Sequence, residues 1–251
     1  MGEQVDCLEI TTMSACSVRC LLCPQDTLKA AYPKGAAHRL TLAGFTEALR
    51  NTPKHVRIHF SGFVEPWLNR ECTTMLDMAL AQCYRVAVYT TCVGMRDWME
   101  VASLLIDARD RVDVVCVHHD DGVNMTDTQW QTIRGKFADA LELGGVKLEE
   151  MRMGGPGFEA IDRAGLVQIG KAPTRHVGPI KCSYTDTYTH NVMLPNGDVV
   201  LCCMDYNLSE RLGNLFEMRW DQLNREDIAH SNTAERVRRT ICRKCHGAVP
   251  A

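Results

Sequence analysis

Between residues 5 and 143, short apolar runs alternate with longer amphipathic stretches, and this alternation restricts the fold more than any other feature of the chain. VDCLEIT (5–11), HVRIHFSG (55–62), RVAVYTT (85–91) and VDVVCVHH (112–119) have the length and apolar content of strands. TLAGFTEALRN (41–51), ECTTMLDMALAQC (71–83), DWMEVASLLIDAR (97–109) and DTQWQTIRGKFADALEL (127–143) carry apolar residues at helical spacing, with Thr41 placed to cap the first. GVKLEEMRM (145–153) and GLVQI (165–169) read as weaker strands. Such alternation builds parallel βαβ units, and six units of about 30 residues fill about 180 residues. The expected fold is α/β, a partial (β/α)6 TIM-like barrel over residues 1–181.

From Lys181 the pattern changes. HNVMLPNGDVVLCC (190–203) is two β-type runs around Asn196-Gly197, a dipeptide that tolerates the positive φ of a tight hairpin. Helices are expected within MRWDQLNREDI (218–228) and TAERVRRT (233–240), and the chain closes on ICRKCHGAVPA. Residues 182–251 are thus expected to form a small C-terminal domain of a β-hairpin plus helix.

Thirteen cysteines are present. Net charge is -3, so no strong field points to nucleic acid or an anionic membrane. The start, MGEQVDCLEITT, has neither the basic residues nor the apolar stretch of a secretory signal. No apolar run approaches the roughly 18 residues a membrane helix needs. A cytoplasmic location is expected, where cysteines serve as metal ligands or small core hydrophobes rather than disulfides.

Cys16, Cys20 and Cys23 fall within the stretch SACSVRCLLCP just after the first strand. An iron–sulfur cubane normally takes four thiolates, one per iron. Three at this spacing leave one iron open to bind something else, whereas structural zinc uses closed four-ligand sites. Cys182, Cys202, Cys242 and Cys245 in the tail supply a complete set of four, for a cubane or, alternatively, a zinc ribbon. Cys7, Cys72, Cys83, Cys92 and Cys116 sit in strand or helix patterns and read as core filler.

The spacing C-x3-C-x2-C at Cys16, Cys20 and Cys23 resembles the signature of the radical S-adenosylmethionine (SAM) enzymes. The resemblance implies that the open iron chelates SAM and that reductive cleavage yields a 5′-deoxyadenosyl radical. HFSGFVEPWLN (59–69) is similar to the family's second-strand motif, which implies SAM contacts from Gly62, Glu65 and Pro66; Val64 stands where glycine is usual. VAVYTTCVGM (86–95) is similar to the third-strand segment and implies contacts from Thr90 and Thr91. AIDRAGLVQ (160–168) resembles an Arg-x-Gly element, which makes Arg163 the candidate catalytic residue beside SAM or substrate. In VHHDDG, His118 and His119 end a strand where such barrels place chemistry.

The tail, with PNGDVVLCC, GNL at 213–215 and ICRKC, resembles the twitch appendage, a trimmed SPASM domain. In that resemblance Cys202, three positions before Asp205, is the ligand, and Cys203 beside it either packs or donates a hydrogen atom. The whole resembles enzymes of the 2-deoxy-scyllo-inosamine dehydrogenase type. This implies two [4Fe–4S] clusters, one binding SAM and one auxiliary. It further implies reduced flavodoxin or ferredoxin as electron donor, and oxidation of a sugar or cyclitol alcohol with the auxiliary cluster as electron acceptor. The alternatives are a peptide- or protein-modifying SPASM enzyme, a radical epimerase of a sugar or aminoglycoside, and a non-enzymatic electron carrier.

Overall fold

A computed structural model describes residues 5–119, 126–152, 160–169, 175–185, 187–233 and 240–251. The expected βαβ series forms with small shifts at its ends. β1 (Cys7–Ile10), β2 (Arg57–Phe60), β3 (Val86–Thr90), β4 (Val112–His119) and β5 (Leu148–Arg152) are parallel neighbours in that order. α2 (Leu42–Arg50), α3 (Cys72–Ala81), α4 (Trp98–Asp107) and α5 (Asp127–Leu143) supply the crossovers. Thr41 caps α2 by accepting from Gly44 N–H, and Thr126 with Gln129 closes a capping box on α5. α1 (Gln25–Ala31), which follows the cysteine loop directly, is an addition to the expected series. It is a seven-residue helix whose buried face holds only Gln25 and Leu28, too few apolar positions to register as a period.

Two expectations are corrected. GLVQI is not a strand: Arg163, Ala164 and Gly165 have φ of 48, 56 and 82°, a left-handed turn that no strand can contain. The sixth parallel strand is β7 (His190–Met193), which lies on the other side of β1 with Leu8 opposite Asn191. The hairpin of β7 and β8 (Asp198–Val200), followed by β9 (Arg211–Asn214), therefore extends the main sheet. That sheet is open, running β5-β4-β3-β2-β1-β7-β8-β9. Gly197 turns the hairpin at φ +85°, and a Cβ there would lie 2.5 Å from Asn214 Oδ1.

The expected helix at 218–228 is also displaced. Residues Trp220–Gln222 form a single 3₁₀ turn, and α6 runs from Glu226 to Thr233. Trp220 N–H is drawn to the carbonyl of Asn51, while Arg225 stacks on the Trp220 ring and donates to Trp220 O and Asn191 Oδ1. These tertiary bonds override the local helical pattern. The helix expected at 233–240 falls mainly on 234–239, outside the described residues. β6 (Ile180–Cys182) pairs antiparallel with β10 (Ala248–Pro250), tying the end of the chain to the start of the tail. Among the described residues no helix is long and apolar enough to cross a membrane.

Period-two alternation sorts the sheet into two faces. Leu8, Ile10, Ile58, Phe60, Val86, Val88, Val115 and Val117 are buried in a core with Phe45, Met75, Leu105 and Phe137 of the helices. Intervening positions Glu9, His59, Tyr89 and His118 line a cavity on the other face. Cys7, Cys72, Cys92 and Cys116 are buried as expected, but Cys83 is exposed. It ends the turn after α3 at φ 63°, which places its side chain off the core.

Candidate functional site

The cavity has a volume of about 710 Å³ and opens at the carboxyl ends of the parallel strands, where each strand hands the chain to a loop. Cys16, Cys20 and Cys23, from the loop after β1, all line it. So do Gly62, Glu65, Thr90, Thr91 and Arg163, so the candidate residues named from the barrel sequence converge on one space, with Pro66 adjoining.

Hydrogen bonds fix the cysteine loop. Gln25, 9% exposed, accepts from Cys16 N–H at 3.1 Å through Oε1. Its Nε2 donates to Cys23 Sγ at 3.3 Å and to the Phe63 carbonyl. The Glu65 N–H donates to Cys16 Sγ at 3.4 Å. Burial raises the Cys16 thiol above its ordinary pKa, and the N–H groups of Glu65 and Val18 oppose that rise. The sulfurs of Cys16 and Cys23 thus already face donors suited to thiolates.

Gly62 is required where it stands: its φ is +76°, and a Cβ would lie 2.4 Å from Thr11 Oγ1. Glu65 is 5% exposed. Its Oε1 accepts from Thr90 Oγ1 at 2.7 Å and Trp67 N–H at 3.4 Å, and its Oε2 from Thr91 N–H at 2.7 Å and Thr91 Oγ1 at 2.8 Å. Burial raises this carboxyl, while the threonine bonds hold it down. The two threonine hydroxyl protons are committed to Glu65, and the Pro66 carbonyl accepts from Thr12 Oγ1 at 2.8 Å.

The floor of the cavity also holds Glu9, His59 and Tyr89, to which no motif points, beside His118. Glu9 Oε2 accepts from Ser61 Oγ and Gly62 N–H, both at 3.2 Å, and burial raises its carboxyl. His59 and Tyr89 rings lie 5.8 Å apart and those of Tyr89 and His118 6.1 Å apart, a file across β2, β3 and β4. Burial lowers both His59 and His118 to about 4, so both are neutral imidazoles at neutral pH. Arg163 Nε and His118 Nε2 have no hydrogen-bond partner among the described residues. The side chain of His119 lies outside the described residues. Polar residues at alternate positions of otherwise apolar strands were the available signal for Glu9, His59 and Tyr89.

A second cavity of about 220 Å³ is lined by Cys182, Cys202, Cys242 and Cys245. The carboxylate of Asp205 accepts from Ser209 N–H and Oγ and from Glu210 N–H, closing the loop that follows Cys202. Arg243 donates to the carbonyls of Gly178, Ser231 and Asn232 and so anchors the Cys242–Cys245 turn. Burial pushes Cys202 well above its ordinary value and Cys242 up to about 11, so thiolates there call for a compensating cation. The four thiols line this cavity, and among the described residues no three His, Cys, Asp or Glu side chains are grouped to hold a single metal ion, so the site suits a polynuclear cluster taking one thiolate per iron better than a lone metal. Glu9, His190 and Cys203 line both cavities and form the wall between them.

Residues 182–246 match the family model SPASM, described as an iron–sulfur cluster-binding domain. No curated protein sequence matches the chain. Solved structures do. BtrN in complex with AdoMet and 2-DOIA superposes with a TM-score of 0.66 at 14% identity, over 93% of this chain and 89% of that one. The fold is that of the radical SAM enzymes. Native anSMEcpe with bound AdoMet and Cp18Cys peptide gives a TM-score of 0.54 at 13% identity, over 96% and 86%. SuiB of Streptococcus suis bound to precursor peptide SuiA gives 0.58 at 12%, over 96% and 69%.

Proposed function

We propose that this chain is a radical SAM oxidoreductase that dehydrogenates a small polar substrate, a sugar or cyclitol alcohol. In this reading residues 1–181 are the partial barrel and 182–251 the auxiliary-cluster domain. The residues present fit the groups this requires. Cys16, Cys20 and Cys23 would hold the SAM-binding cluster, and Cys182, Cys202, Cys242 and Cys245 the auxiliary one. When bound, SAM and the first cluster supply a 5′-deoxyadenosyl radical that takes a substrate hydrogen, and the second cluster supplies an electron sink.

The protein's own part is to bind, orient and deprotonate. Gly62, Glu65 and the Thr90–Thr91 pair shape the wall against which SAM would lie; with the Glu65 carboxylate already saturated, backbone carbonyls of this wall are left to meet an ammonium. Arg163, unpartnered at Nε, presents donors to a substrate hydroxyl. Glu9 has one oxygen bonded to Ser61 and Gly62, and its Oε1 is the acceptor we assign to the hydroxyl proton. The observation that carries the reading is the shared wall, because it places Glu9 between the substrate cavity and the four-thiol cavity. After the carbon-bound hydrogen is taken, the hydroxyl proton and the remaining electron of that carbinol group would then leave toward one side.

Anaerobically reconstituted protein, SAM and a strong reductant test this. Formation of 5′-deoxyadenosine that depends on an added sugar or cyclitol, with a ketone product, supports the dehydrogenase. No 5′-deoxyadenosine under any condition supports the electron carrier and ends the enzymatic reading. Cys203, which lines the substrate cavity, keeps an epimerase as the second reading; deuterium taken from solvent into a product of otherwise unchanged mass would favour it. The peptide-bound anSMEcpe and SuiB structures make a peptide the third substrate class to assay.

A further inference from the structure

Tyr206 belongs to the tail, yet its hydroxyl lies 3.7 Å from the sulfur of Cys23, 183 residues earlier in the chain. The ring is 4% exposed, packs on Phe63 at 4.5 Å between centroids, and has the Arg163 guanidinium 6.0 Å from its centre. A buried phenol needs a partner for its O–H, and Cys23 Sγ is the partner the fold provides. A cluster-bound thiolate carries no proton, so the direction of that bond is then set: Tyr206 donates and Cys23 accepts.

We propose that Tyr206 tunes the loop cluster, donating a hydrogen bond to the Cys23 sulfur that raises the cluster's reduction potential. The inference rests on the functional reading above, which places a cluster at Cys16, Cys20 and Cys23. Hydrogen bonds to cluster sulfurs help set the potential, because the reduced cluster carries one more negative charge and gains more from a donor. Gln25 Nε2 makes a second bond to the same sulfur at 3.3 Å, but it comes from the first residue of α1, directly after the loop. Tyr206 comes from the 202–210 loop that Asp205 closes. The order of the tail loop and the ease of reducing the loop cluster are therefore linked through one hydroxyl. Tyr206 is a positioning and tuning residue, not a group that touches the reacting atoms.

The test is redox titration of the reconstituted protein followed by electron paramagnetic resonance, the loop cluster being identified as the signal that added SAM perturbs. Tyr206→Phe keeps the ring and removes only the donor. The expected result is a lower midpoint for the loop cluster, an unshifted midpoint for the tail cluster, and unchanged iron content. A loop midpoint that stays level or rises overturns the proposal. Should Tyr206→Phe fail to retain iron, 3-fluorotyrosine at position 206, a stronger donor of similar size, must raise the midpoint, and no rise is equally fatal. A wild-type protein with no cluster at the loop overturns the functional reading itself, which separates the two failures.

Discussion

Thr91 holds the Glu65 carboxylate twice through the same oxygen, by its backbone N–H at 2.7 Å and its hydroxyl at 2.8 Å. With Thr90 and Trp67 on the other oxygen, all the strong acceptor directions of this buried anion are used. Glu65→Gln turns one end of the side chain into a donor facing donors already in place. The expected cost is about 1–3 kcal/mol, read as a lower urea midpoint. SAM affinity should fall with it, because the Glu65 N–H that meets Cys16 belongs to the same turn. Unchanged stability in Glu65→Gln would mean the carboxylate is not locked as described.

Cys20→Ala removes one of three thiolates from the loop. The expected outcome is loss of the loop cluster's iron and of all 5′-deoxyadenosine formation, with the tail cluster retained. Persistent SAM cleavage in this variant would remove Cys20 from the ligand set.

Cys245→Ala acts at the other cavity. If the tail cluster receives the electron, the ratio of oxidised product to 5′-deoxyadenosine should collapse, since hydrogen abstraction no longer leads to net oxidation. A ratio equal to wild type would leave the tail with a structural role only.

Much of this arrangement was legible before the structure, and the part that was not has physical causes. β4 and α5 form over the expected residues because each has a clear period and firm ends, the capping box of Thr126 and Gln129 among them. Spacing marked the seven candidate cysteines, and the fold gathers Cys16, Cys20 and Cys23 on one cavity and Cys182, Cys202, Cys242 and Cys245 on another. GLVQI failed because its glycine belongs to a left-handed turn with Arg163 and Ala164, which apolar content does not reveal. The sixth parallel strand was hidden because β7 reads as half of a hairpin, and its pairing with β1 is a long-range choice. Tyr206 and Glu9 could not be assigned roles in sequence, since each acquires its meaning from partners far along the chain.

Glu9 gives a pH signature. Burial raises its carboxyl above the ordinary glutamate value, against the bonds from Ser61 and Gly62. A base must be ionised to accept a proton, so oxidised product should increase as pH rises through that raised pKa and level off above it. Glu9→Gln should lose this limb and form product about 10²-fold more slowly or worse. 5′-Deoxyadenosine formation should fall less than product. A variant that kept the limb would assign the proton to another group.

His59 gives a second signature, in stability rather than rate. Burial, with His190 adding to it, lowers its pKa from 6.5 to about 4. Between those values the unfolded chain takes up a proton that the folded protein refuses, so stability falls as pH drops from about 6.5 toward about 4. The shift corresponds to between about 1 and 3 kcal/mol, the lower end because the ring borders the cavity and water screens it. His59→Gln has no charge to gain, so its urea midpoint should change less between pH 7 and pH 5 than that of the wild type. His118, held at about 4 by burial and then by Arg163, supplies a parallel loss that remains in the variant, which should halve the slope rather than abolish it. Identical slopes in the two proteins would show that His59 meets solvent well enough to protonate in place.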